Sequence, residues 1–372
     1  MTPTTTTTHI PKPKSEDRIS CEEEENEEPI EGEETLSPEI KSLIHSLPRE
    51  RGWRTRYLYL FHGFWCQPAE IQSITTLHHH FRPNDSDIII ATIPKSGTTW
   101  LKALTFATVN RDLFPPSSKS HPLLSSNPHD LAPFFEYTVY GSHDRNPPDL
   151  SGFPEPRLFG THIPFDGLPS SVKDSDCKVI YICRNPFDTF VSSWTFINKI
   201  KPESLPPLTL EEAFDMYCQG IIGFGPFWDH MLGYWNESKE KPHKVLFLKY
   251  EDLKGETERE LKRIAEFLGC GFGEEEEERG MVESIVKLCS FEKMKELEVN
   301  KCGTFGRNFG NKHLFRKAEI GDWVNHFSPP MVERLSTVIE EKLGGSDSSP
   351  CSSSLENPSP CSQSQVLFNV QL

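Results

Sequence analysis

The sequence contains no run of 18 apolar residues and no apolar stretch near its start, so neither a membrane-spanning helix nor a secretory leader is expected and the cytoplasm is the default compartment. Ten cysteines are present without a single C-x-x-C pair. Several sit in apolar runs, as Cys183 does at the end of 178–183, which points to reduced core thiols and not to a disulfide framework or a metal site. No unit repeats at a period of 20 to 50 residues, which excludes solenoids and propellers. Basic charge is also scarce: 39 Lys and Arg stand against 55 Asp and Glu, a net charge of −16 that disfavours a nucleic-acid binder. The spacing G-x-x-x-x-G-K-[ST] of a Walker loop is absent, which counts against a kinase.

What is present divides the 372 residues into a fold with loose ends. Residues 1–36 carry a threonine run and a glutamate cluster, with eleven acidic residues against three basic ones, and almost nothing apolar to bury. From Gly344 to Leu372 the chain is rich in Ser and Pro, with nine serines by Ser364. Both segments are expected to be disordered, because neither can offset the entropy of ordering. Between them, residues 37–343 read as one domain. Ser37 followed by Pro38, with Ile40, Leu43, Ile44 and Leu47 at helical spacing, predicts a capped amphipathic helix. Ile88 to Ile90, Val179 to Ile182 and Val245 to Leu248 are short β-branched runs, each followed by a helical pattern beginning near Gly97, Pro186 and Glu256. Strand then helix, repeated, predicts an α/β fold with a central parallel sheet flanked by helices. The Pro-rich connections 114–135 and 201–208 are long enough to be lids or substrate walls.

The most informative segment joins the first predicted strand to its helix: Thr92-Ile93-Pro94-Lys95-Ser96-Gly97-Thr98-Thr99-Trp100. Such a junction binds phosphate, since the amides of the turn and the helix start are unpaired donors, the helix dipole adds partial positive charge, and Gly97 permits close approach. Lys95, Thr98 and Thr99 add a cation and two hydroxyls.

At this point the chain resembles the cytosolic PAPS-dependent sulfotransferase family, whose 5'-phosphosulfate loop reads T-x-P-K-S-G-T-T-W, and it looks closest to the plant branch. The resemblance spans roughly 40–343. It implies transfer of the sulfuryl group of 3'-phosphoadenosine 5'-phosphosulfate (PAPS) to a hydroxyl of a small organic acceptor, without a metal. It further implies that Lys95 and the amides from Ser96 to Thr99 hold the phosphosulfate and that Trp100 stacks on the adenine. In Cys183-Arg184-Asn185-Pro186-Phe187-Asp188, with Ser192 beyond, Arg184 and Ser192 match the 3'-phosphate contacts. Tyr250, Cys289 and Phe291 match adenine contacts. Arg316-Lys317-Ala318 stands where the family has R-K-G as a clamp on the 3'-phosphate; here alanine replaces the glycine, which would be strained if the position needs a positive φ. The stretch through which many members dimerise is changed to Val324, Ser328, Pro329 and Glu333, so a monomer is expected.

An acceptor hydroxyl must lose its proton near neutral pH, and histidine suits the task. Of fourteen histidines only His162 has a fitting context, Pro156 to Pro164, which resembles the family's T-H-x-P segment and implies that His162 is the base. Lys95 is expected to stabilise charge on the leaving oxygen. Some members carry lysine at the position of Gly160, so any role it has there is missing here. The run His78 to His80 reads as a solvated helix face, because adjacent residues on a helix point apart. Phe61 to Trp65, Phe134, Phe135, Tyr137 and Phe165 are available as aromatic walls for a flat or lipid-like acceptor, or as ordinary core; the resemblance to the plant branch implies an acceptor of flavonol, hydroxyjasmonate, brassinosteroid or desulfoglucosinolate type. Two rivals stay open. One is a phosphotransferase, which would need Mg²⁺ held by carboxylates. The other is a non-catalytic nucleotide-binding protein, motivated by Ala318, Gly160 and the acidic tail.

Overall fold

The computed structural model describes residues 33–141, 148–305 and 309–344. The two segments expected to be disordered lie outside the described residues, apart from 33–36 and Gly344. Within the described part of the first segment, Glu33–Thr35 form a 3-10 turn and Leu36 is buried, because this leucine, unlike its polar neighbours, has apolar surface to hide. The Ser37 hydroxyl then caps the helix Pro38–Ser46 by accepting from the Ile40 amide at 3.3 Å, and Ile40 and Ile44 face inward.

A small antiparallel sheet follows, with strands β1 (Arg49–Arg51), β2 (Tyr57–Phe61) and β3 (Phe64–Cys66). The central sheet is parallel and four-stranded. Its strands are β4 (Ile88–Thr92), β5 (Leu158–Thr161), β6 (Lys178–Cys183) and β7 (Val245–Lys249), in the order β5-β4-β6-β7. Every residue of β4 is buried, as expected of a parallel strand covered on both faces. The helices Thr98–Val109 and Thr257–Phe267 bury Leu101, Leu104, Leu261 and Ile264 in one core with Ile88, Ile180 and Leu246. Three of these four strands match the sequence reading. The edge strand β5 was not expected, since Leu-Phe-Gly-Thr lacks a β-branched run.

Strand order reverses between β4 and β6, and the loops that leave the carboxyl ends of these two strands face a common crevice. Ligands of open α/β sheets bind at such a reversal.

Candidate functional site

The loop 93–97 leaves β4 and enters the helix Thr98–Val109 through Gly97, whose φ of 107° is available to glycine and disfavoured for other residues. The glycine is needed for a second reason. A Cβ built there would lie 2.8 Å from the Tyr250 ring, so only glycine lets that ring close over the loop. Lys95 also adopts a left-handed conformation, φ 73°, a strained state of the kind that persists where surrounding structure enforces it.

Across the crevice, Arg184 follows β6 and Ser192 lies on the next helix, Pro186–Ile200. Asp188 and Arg184 form a loose buried ion pair, and each has shorter contacts elsewhere. The Asp188 carboxylate accepts from the amides of Gly321 at 2.7 Å and Trp323 at 3.1 Å, while Arg184 Nη2 stands 3.7 Å away and donates to the Glu319 carbonyl at 2.6 Å. This ties the segment 316–323 to the sheet and brings Arg316 to the same cavity. Arg184 Nε and Ser96 Oγ are both buried without a hydrogen-bond partner. These orphaned donors, one in the loop and one across the crevice, fit a ligand that carries anionic oxygens at both places.

Of the residues expected in the site, Lys95, Gly97, Thr98, Thr99, Trp100, His162, Arg184, Ser192, Tyr250, Cys289, Phe291, Arg316 and Ala318 line a single cavity of about 320 Å³. Trp100 and Tyr250 meet edge to face with centroids 5.9 Å apart, leaving ring surface at the cavity wall. Ser96 lies in the loop, buried behind it. Lys317 stands apart from the lining and pairs with Asp322 at 2.5 Å. Burial works against ionisation of Asp322, yet hydrogen bonds from Lys317 and Arg316 hold its carboxyl below the usual range. Ala318 has φ 56°, so the alanine occupies the left-handed conformation that a glycine would take freely. Desolvation, reinforced by Arg184, Arg316 and Lys199, lowers Lys95 to about 7.

His162 follows β5 and is pinned at three points. Its Nδ1 lies 2.7 Å from the Thr92 carbonyl. A carbonyl only accepts, so Nδ1 carries the hydrogen and Nε2 keeps the lone pair. The His162 amide donates to Glu136 Oε1 at 2.6 Å, and its carbonyl accepts from His230 Nε2 at 2.9 Å. Tyr181 hydroxyl reaches His230 Nδ1 at 3.1 Å and so fixes the second tautomer. Burial lowers His162 to about 3 and His230 to about 4, so both rings are neutral near pH 7. Burial also raises Glu136 to about 7, against its backbone hydrogen bonds.

Glu136, His230 and the pair Lys102–His129 were not singled out in the sequence, and Thr92 was read only as part of the loop motif. A lysine inside the apolar helix segment Thr98–Val109 was the available signal for Lys102, which is fully buried. The aromatic wall also differs from expectation. Phe134 and Tyr137 do line the cavity, but Phe135 packs into the core against Phe81 and Phe159, and Phe61, Phe64, Trp65 and Phe165 lie outside the lining. Trp53, Phe196, Phe224, Phe305 and Phe309 take their place. The connection 114–135 contributes His129 and Phe134 to the wall, whereas 201–208 instead folds back on its helix, with Trp194 and Asn198 donating to the Leu208 carbonyl.

The sulfotransferase domain family matches residues 85–347. Cytosolic sulfotransferases 15 and 14 of Arabidopsis thaliana are each 58% identical over 318 residues, covering 85% and 84% of this chain and 88% and 91% of their own. Among solved structures, a sulphotransferase of Arabidopsis thaliana provisionally assigned to steroids is 46% identical, with TM-score 0.65 over 82% of this chain and 92% of its own. A mouse sulfotransferase complexed with PAP shares the fold at 24% identity and TM-score 0.60, covering 85% of this chain and all of its own.

Proposed function

Since the chain belongs to the plant cytosolic sulfotransferase family and is thereby an enzyme of PAPS-type sulfuryl transfer, we propose that His162 is its general base, Lys95 its leaving-group cation, and a hydroxyl of a small organic molecule its acceptor. The observation that carries this reading is the double use of Thr92. Its carbonyl orients the His162 ring at 2.7 Å, and its hydroxyl lies 2.7 Å from that of Thr98 at the head of the cradle. Base and cradle are therefore registered through one residue of β4, which is the alignment an in-line transfer needs.

When bound, PAPS supplies the sulfuryl group. The chain holds its 5' end with Lys95, Gly97, Thr98, Thr99 and the Ser96 amide and hydroxyl. Arg184, Ser192, Arg316, Ala318 and, at longer range, Lys317 serve the 3'-phosphate. Trp100, Tyr250, Cys289 and Phe291 serve the adenine. His162 Nε2 takes the acceptor's proton, and its low basicity in the dry site is matched to a step in which the hydroxyl is acidified as it reacts. Lys95 opposes negative charge growing at the leaving oxygen.

On the acceptor side the walls are Phe134, Tyr137, Phe196, Phe224 and Phe309, with Arg54 turned over the Phe309 ring at 4.8 Å and 3.5 Å from Glu70. Such a lining suits a flat or lipid-like hydroxylated molecule, of flavonol, hydroxyjasmonate, brassinosteroid or desulfoglucosinolate type. A cytoplasmic monomer is part of the same reading. Relatives named as cytosolic support the compartment, and the changed stretch with Val324, Ser328, Pro329 and Glu333 supports the monomer. No helix among the described residues is long and apolar enough to cross a membrane. The second reading, a nucleotide-binding protein without turnover, is favoured only by the strained Ala318. Transfer of labelled sulfate from PAPS to a panel of those four acceptor classes, with EDTA present, separates the readings: labelled product supports the enzyme, and nucleotide binding with no product on any acceptor supports the second.

A further inference from the structure

Lys102 has no exposed surface, and its ammonium is surrounded by groups that want a hydrogen. Nζ lies 2.6 Å from the Ala132 carbonyl, 3.1 Å from His129 Nδ1 and 3.3 Å from the centre of the Phe134 ring. A carbonyl can only accept, and the face of a benzene ring attracts a cation and repels a lone pair. Nζ therefore presents hydrogens to the carbonyl and the ring; burial lowers Lys102 well below its ordinary value, the Phe134 ring face favours the charged form, and in that form the third hydrogen is directed at His129. His129 Nδ1 must accept, which places the histidine's hydrogen on Nε2. That atom lies 3.0 Å from Thr99 Oγ1, so it donates to the threonine oxygen. With one lone pair so engaged, the Thr99 hydroxyl hydrogen is left to point away from His129. Thr99 stands in the first turn of the helix that forms the cradle, and it lines the cavity.

Space for this arrangement comes from Gly160. A Cβ built on Gly160 would lie 2.2 Å from Lys102 Nζ and 2.4 Å from its Cε, so a side chain of any size at 160 would evict the ammonium. Gly160 sits in β5, two residues before His162, and its amide is bound to the Pro133 carbonyl at 2.8 Å. The backbone there is fixed and cannot yield.

We propose that Lys102, acting through His129, is a positioning residue that turns the Thr99 hydroxyl outward as a hydrogen-bond donor to the 5'-phosphate end of the nucleotide, and that Gly160 is glycine because the Lys102 ammonium occupies the space of its side chain. The proposal rests on the assignment of the loop 95–99 to that phosphate. A cation that would otherwise stand on β5 is thus supplied from the cradle helix, and its hydrogen-bonding reach extends into the loop.

The test is calorimetric binding of adenosine 3',5'-bisphosphate to the full chain, read together with the melting temperature of each protein. Thr99→Val and Lys102→Met are each expected to weaken binding about 10-fold, the usual scale for one hydrogen bond to a charged group. The double variant is expected to be no weaker than either single one, because the three residues act as one unit. Losses that multiply in the double variant, or wild-type affinity in Lys102→Met, would overturn the relay. If Lys102→Met is recovered unfolded, His129→Gln and Gly160→Ala carry the same test: each is expected to lose about 10-fold, and wild-type affinity in both refutes the proposal. Failure of the wild-type chain to bind the nucleotide would instead overturn the assignment of the cradle itself.

Discussion

Lys95 gives the site a measurable proton balance. Desolvation, with Arg184, Arg316 and Lys199 as neighbours, lowers its ammonium to about 7 in the free chain. The neighbouring charge of a bound phosphate reverses that effect and restores a high value. At pH 8 only about one chain in ten carries the Lys95 charge before binding, so binding takes up about 0.9 proton, against about 0.1 at pH 6. The sign follows: the bound form holds more protons, so the Lys95 contribution to affinity is full well below pH 7 and falls above it, by about 50-fold between pH 7 and pH 9. The phosphate groups do not confuse the measurement at pH 8, because their second ionisation, near pH 6, is complete. Titration of adenosine 3',5'-bisphosphate at pH 8 in buffers of different ionisation enthalpy reads the uptake directly. In Lys95→Met the uptake is expected to vanish and the affinity to become flat with pH over this range. Binding heats that are the same in every buffer for the wild-type chain would refute the account of Lys95.

Ala318→Gly is expected to stabilise the chain by roughly 0.5 to 1 kcal/mol in urea titration, since relief of about 1 to 2 kcal/mol at φ 56° is partly offset by the added freedom of the unfolded glycine; no gain would mean that the loop carries no strain there. Buried neutral histidines give a second stability signature. His162 at about 3 and His230 at about 4 lie below the unfolded value, so the unfolded chain binds more protons between those values and 6.5. Stability is therefore full above pH 6.5 and is lost on acidification toward pH 4, with a shallower slope expected in His162→Gln; identical slopes would show that His162 is not buried and neutral.

The parts of the site that were legible in the sequence are those whose chemistry is local. The cradle is a strand, a turn and a helix within ten residues, and its glycine, lysine and threonines line the cavity where they stand. Arg184 and Ser192 likewise follow one strand directly. What could not be read are groups brought together by the sheet order. His162 is oriented by Thr92 only because β5 lies beside β4, and by His230 because the helix Phe227–Glu240 crosses behind it. The acceptor wall failed for a related reason. Phe135 and Phe165 were chosen for being aromatic near the site, but Phe135 has partners in Phe81 and Phe159 and Phe165 in Tyr234, whereas Phe196 and Phe309 reach the cavity from distant parts of the chain. Gly160 was read as a missing lysine. The structure fills the same space with Lys102, a substitution visible only once the helix packs on the strand.

The central claim is that His162 removes the acceptor's proton while the nucleotide is held by other residues, and the most direct measurement compares His162→Ala with the wild-type chain for both turnover and binding of adenosine 3',5'-bisphosphate. The account predicts a loss of about 100-fold to 10,000-fold in kcat with nucleotide affinity unchanged. Turnover close to wild type, or loss of nucleotide binding in a chain that folds normally, would contradict it.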